Sequence, residues 1–109
     1  MAFEEDYFGL EKKRYETKGI NARLNPIYRY ILWTLIEELK ENMQLDYLQV
    51  FEFVCEKDEK GRYIQKLTHS QEEKPYSKTY DFPVDEPVNE KVYVIDDGEQ
   101  CTMLFAEEY

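Results

Sequence analysis

The residues of this chain that could do chemistry are one histidine, two cysteines and a scatter of carboxylates. His69 sits in Gln65-Lys66-Leu67-Thr68-His69-Ser70-Gln71-Glu72. An imidazole titrates near neutrality, so His69 with a carboxylate such as Glu72 beside it could serve as a general base. The plainer alternative is a histidine at a strand end that hydrogen-bonds locally. One histidine cannot by itself build a zinc site, which needs three or four ligands. Asp96, Asp97 and Glu99 gather around Gly98 and could attract a cation. Their spacing is not that of a calcium loop, and turn chemistry explains them more simply. Cys55 and Cys101 lie far apart, inside apolar strand patterns and without a Cys-x-x-Cys pair. Buried free thiols are the expectation. The chain has no Gly-rich phosphate loop, no Gly-x-Ser-x-Gly and no His-Glu-x-x-His. No catalytic residue, metal site or cofactor is expected.

The element that would position any site is a helix from Asn25 to Met43. Asn25 can cap its first turn and Pro26 suits the first helical position. Tyr28, Ile31, Leu32, Leu35, Ile36, Leu39 and Met43 recur at three- and four-residue steps, which places them in one stripe. Glu37, Glu38 and Glu41 fall on the other side. Tyr30 and Trp33 lie off the stripe. Either the N-terminal segment folds over them, or they form a partner-binding face, since exposed Trp and Tyr are common interface anchors.

Strand patterns follow. Asp46–Cys55 alternates Tyr47, Phe51, Phe53 and Cys55 with Leu48, Val50 and Val54, so both faces are apolar and the strand should be central. Further strands are expected over Arg62–His69, Tyr76–Phe82, Lys91–Ile95 and Gln100–Ala106, with a short first strand at Arg14–Lys18 that Gly19 ends or bends. The Asp97-Gly98 pair between two such runs signals a hairpin. The fold class is therefore α+β, one long helix on a curved antiparallel sheet of five to six strands. A chain of 109 residues suits one domain, 1–109, with residues 1–13 as a mobile arm. One helix covers one face of a sheet. The second face needs curvature into a partial barrel, the N-terminal arm, or a second copy of the chain.

Charge narrows the partners. Residues 1–44 hold seven Lys/Arg and eight Asp/Glu, while residues 45–109 hold seven and sixteen, so the acidity belongs to the strand-rich part. Phosphates must be met by Lys and Arg, so neither nucleic acid nor anionic membrane is expected. No apolar run spans a bilayer and the acidic start lacks a signal-peptide layout, which places the chain in the cytoplasm. The ten tyrosines, Tyr47, Tyr63, Tyr76, Tyr80 and Tyr93 among them in strands, suit a protein-binding surface.

Thr17-Lys18-Gly19-Ile20, Leu32-Trp33-x-Leu35-Ile36, Asp46-Tyr47-Leu48-Gln49-Val50-Phe51-Glu52 and Gln65-Lys66-x-x-His69-x-Gln71-Glu72-x-x-Pro75-Tyr76 together resemble a known family. It comprises small uncharacterised proteins of Gram-positive bacteria and their mobile elements, grouped as a domain of unknown function. The likeness spans roughly residues 14 to 80. It implies no activity, but it suggests a shared site at Gln49, Glu52, Lys66, His69, Gln71, Glu72 and Tyr76. The alternative is that these residues fix a turn and its strand pairing. The first functional reading is a non-catalytic adaptor that binds another protein, with homodimerisation open, through Tyr30 and Trp33 or the His69–Tyr76 loop. The second is a small enzyme or ligand-binding domain using His69 and Glu72. The third is an acidic decoy of nucleic acid, which needs carboxylates spaced along one face.

Overall fold

The structure, a computed structural model, describes residues 7–9 and 11–109. The elements are β1 (Lys13–Glu16), α1 (Lys18–Arg23), α2 (Pro26–Asn42), β2 (Leu48–Lys57), β3 (Tyr63–Gln71), β4 (Tyr76–Pro83), β5 (Glu90–Asp96), β6 (Gln100–Phe105) and a terminal 3-10 turn (Ala106–Glu108). The six strands form one open sheet in the order β1-β6-β5-β2-β3-β4. The fold is α+β, and β2 is central as its pattern requires. The sheet is mixed rather than wholly antiparallel, because β1 runs parallel to β6. Its edge strands do not meet, so it does not close into a barrel.

α2 begins where its sequence says it should. The Asn25 side chain accepts from the Ile27 amide at 2.7 Å and Pro26 follows. Leu32, Ile36 and Leu39 are buried, while Tyr28, Ile31, Leu35 and Met43 pack half-buried at the margins of the stripe. The Tyr28 ring lies 5.3 Å from Phe53 and 6.1 Å from Phe82, which seats the helix over β2 and β4. Each fully buried side chain of this kind contributes roughly 1.5–3 kcal/mol.

The first strand ends earlier than expected, and a second helix follows it. Thr17 caps α1 by accepting from the Ile20 amide at 3.2 Å. Gly19 lies inside this helix and does not break it. A Cβ there would stand 2.8 Å from a Glu108 carboxylate oxygen, so the glycine admits the returning C-terminus. Gly61 and Gly98, with φ of +79° and +104°, occupy the two hairpin turns where a left-handed residue is required.

The described part of the N-terminal arm is anchored. Phe8 is buried, and its amide donates to Asp96 Oδ2 at 2.7 Å. Lys12 Nζ meets the same oxygen at 2.7 Å. Burial pushes the Asp96 carboxyl up, but Lys12 and the amides of Phe8 and Gly98 outweigh it and hold the group below its ordinary value. The Lys40 ammonium donates to the Tyr7 carbonyl, so this stretch lies on the side of the sheet that carries α2. The rest of the expected mobile arm, residues 1–6 and 10, falls outside the described residues. Among the described residues no helix is long and apolar enough to cross a membrane.

Candidate functional site

The strands alternate between a covered side, under α2, and an outer side. On β2 the covered residues are Gln49, Phe51 and Phe53; on β3 they are Gln65, Leu67, His69 and Gln71. Of the residues singled out from sequence, Gln49, His69, Gln71 and Tyr76 come together here. Glu52 and Lys66 project from the outer side, and Glu72 sits exposed in the β3–β4 turn.

His69 is 1% exposed. Its ring stacks on Phe51 at 4.3 Å, and the Tyr76 ring meets it edge-on at 5.5 Å. Its proton can be placed by working outward from one backbone group. The Asp46 amide, a donor, lies 3.0 Å from Gln71 Oε1, which must therefore accept. Gln49 Nε2 donates to that same oxygen at 2.7 Å and to the Asp46 carbonyl at 3.1 Å. Gln49 Oε1 is then an acceptor, and His69, at 2.7 Å, donates to it through Nε2–H. Gln71 Nε2 completes the chain on the carbonyls of Lys74 and Gln44, at 2.8 and 3.3 Å. Burial lowers the His69 pKa to about 4, so the ring is neutral at pH 7.

This network ties the loop before β2 to the β3–β4 turn. Asp46 adds to it, accepting from the Glu73 amide at 2.6 Å and the Lys74 amide at 3.3 Å. The nitrogen of His69 that faces Gln49 carries its proton inward, and its partner is an amide rather than Glu72. A cavity of about 220 Å3 opens nearby, lined by Asp46, Tyr47, Leu48, Val50, Glu72 and Glu73. His69 lines neither it nor the cleft of about 430 Å3 along Glu52, Val54 and Lys91. Among the described residues no group of three His, Cys, Asp or Glu is placed to hold a metal ion. Both cysteines are free; Cys101 is buried, with its thiol pushed up to about 11 by burial, and Cys55 is half-buried.

Trp33 is not a surface anchor. It is buried beneath β1, where its indole N–H donates to Glu16 Oε2 at 3.0 Å and the Arg14 guanidinium stands 4.8 Å above its ring. Arg29 holds the other Glu16 oxygen at 2.9 Å. Tyr30 is 72% exposed and, with Ile27 one turn before it, forms a small apolar spot on the far side of α2.

The outer side of the sheet is the feature that residue-by-residue reading missed as a site, although its two-faced strands signalled it. Strand pairing sets Leu104 beside Tyr93 and Tyr93 beside Val50. A neighbouring row runs Tyr15, Thr102, Ile95, Leu48. Tyr15 is exposed and the others are half-buried, with Tyr109 edge-on to Tyr93 at 5.5 Å. No described helix lies over these two rows. Their ends meet the β3–β4 and β5–β6 turns, where Glu72, Glu73, Asp97 and Glu99 are exposed. Further along, Lys66 pairs with Asp81 at 3.1 Å and reaches Glu56 at 3.7 Å, so the acids there alternate with lysines.

No curated protein matches this chain. A crystal structure of a protein of unknown function from Enterococcus faecalis superposes with a TM-score of 0.71 at 22% identity, covering 99% of this chain and 98% of that one. At that identity the likeness establishes the fold. A family model described as a Staphylococcal protein of unknown function, DUF960, matches residues 13–108, and the chain belongs to that family.

Proposed function

We propose that this chain is a non-catalytic binding module, and that a partner protein with an apolar patch bordered by Lys and Arg docks on the outer side of its sheet. One observation supports the reading: two adjoining rows of apolar and aromatic side chains, centred on Val50, Tyr93 and Ile95, that no described helix covers and that Tyr109 touches only at Tyr93. Contiguous apolar surface of this kind marks interaction sites more often than it occurs by chance. Each half-buried residue contributes roughly 1 kcal/mol when a partner completes its burial.

Charge favours a foreign, basic partner over a second copy. The acids at the turn end of the rows draw Lys and Arg toward the rim. A second copy would bring another net charge of −10 against the first. Residues 1–6 hold Glu4, Glu5 and Asp6 without a lysine or arginine, and would meet the same repulsion. The decoy reading gains no support, because Lys66 and Lys91 interrupt the carboxylates of the outer side. Activity in the cytoplasm fits a chain with two free thiols.

The test compares affinity purification from native host cells using the full chain, Val50→Glu and Tyr30→Ala, with the mass of each in solution. The expected result is a monomer whose partner is retained by Tyr30→Ala and lost by Val50→Glu, the lost protein carrying a Lys/Arg-bordered apolar surface. A dimer dissociated by Val50→Glu, or a partner that Val50→Glu still holds, would overturn the reading. So would apolar rows that gain exposure on deletion of residues 1–6.

A further inference from the structure

The cavity at the turn end of the outer side has walls of two kinds. Leu48 and Val50 give it an apolar floor continuous with the rows above, and Tyr47 adds an aromatic ring. Glu72 and Glu73 also line it and are exposed, and among the described residues neither carboxylate pairs with a cation. Asp46, 5% exposed, lines it as well. Among the described residues its oxygens accept from the backbone amides of Glu73 and Lys74 and from no side-chain cation. A cavity of this size that joins apolar side chains to carboxylates matches one kind of group, a long methylene stem with a cation at its tip.

We infer that this cavity takes a single lysine or arginine side chain from the docked partner and thereby sets the partner's register on the sheet. The inference rests on the docking surface proposed above and adds what that surface recognises. The volume of about 220 Å3 suits one side chain rather than a folded element. The backbone amides of Glu73 and Lys74 hold Asp46 in place, so the cavity is formed before the partner arrives.

The test is amide-resolved NMR on the full chain, titrated at low salt with N-acetyl-arginine methylamide, N-acetyl-lysine methylamide, the neutral N-acetyl-norleucine methylamide, and putrescine. A cationic amino-acid probe should give saturable shifts confined to residues 46–50 and 72–75. Norleucine should give none. The double variant E72Q/E73Q, which alters only exposed turn side chains, should weaken binding roughly tenfold. High salt should weaken it as well. Shifts that norleucine reproduces, that survive E72Q/E73Q undiminished, or that never saturate would overturn the assignment. Saturation by putrescine alone would reassign the cavity to a free diamine. If the probes fail while Val50→Glu still sheds the partner, only the cavity's role is lost. If the probes bind while Val50→Glu keeps the partner, the cavity stands and the docking face falls.

Discussion

Under α2, strand β3 presents Gln65, Leu67, His69 and Gln71, all buried; on its outer side the same strand presents Ile64, Lys66, Thr68 and Ser70, all half-exposed. Each side of the strand carries three polar residues and one apolar one, yet only the covered side is dry. Its polar groups are closed on one another: Gln65 clamps Val88 through both amide atoms at 2.8 Å, and Gln49 links His69 to Gln71. Along β2 and β5 the outer side is as apolar as the covered one, with Leu48, Val50, Val54, Tyr93 and Ile95, yet no described helix lies over it. Residues that look chemical hydrogen-bond one another under the helix, and residues that look like core lie on the side that no described helix covers. A buried amide has one donor and one acceptor end, so glutamine can join groups in a core without adding charge.

The largest effect should come from breaking the covered network. Gln49→Leu leaves the His69 N–H without its acceptor in a dry site and removes one of the two donors to Gln71 Oε1, which keeps the Asp46 amide, at a combined cost of about 3 kcal/mol. Urea unfolding measures it, and a cost near zero would show that the network does not brace the fold.

Acid should reach the same place by titration. The folded pKa of His69, about 4, lies below its ordinary 6.5, so the unfolded chain binds that proton more tightly. The contribution is complete above pH 6.5 and shrinks as pH falls toward 4, by up to about 3 kcal/mol. With one histidine in the chain, His69→Gln should flatten the urea midpoint across that window. Asp96 is likewise held below its ordinary value, by Lys12 and the amides of Phe8 and Gly98 against burial. Its contribution is present above 3.8 and is lost below it, so the two phases separate.

Smaller effects should follow at β1 and α1. Trp33→Phe removes the donor to Glu16 and Thr17→Ala removes the cap of α1, each at about 1 kcal/mol in urea. The smallest effect on folding belongs to the outer side. Val50→Glu should change stability by no more than about 1 kcal/mol. It should nevertheless remove the partner, which separates the two sides by function as well as by structure.

Much of this arrangement was legible in the residues. The three- and four-residue spacing of Leu32, Ile36 and Leu39 gave the helix and its buried stripe, and Asp97-Gly98 gave the last hairpin. What escaped depended on contacts distant in sequence. β1 pairs with β6 across most of the chain, and no local pattern specifies a parallel neighbour. Gly19 reads as the end of the first strand until Glu108 is seen against it. Trp33 lies off the α2 stripe because it packs under β1 instead. His69 and Gln71 drew attention as candidate chemistry, yet their burial depends on strand pairing that sequence spacing does not state. Glu52 and Lys66 belong to the opposite side of the sheet from His69, as strand alternation alone requires.

The most direct test is photo-crosslinking in native host cells, with p-benzoylphenylalanine replacing Tyr93 on the outer side or Tyr30 on α2. The account predicts a crosslink to another protein from position 93, absent from position 30 and lost when Val50→Glu is added. A crosslink from position 30 alone, or one from position 93 that joins two copies of this chain, would contradict it.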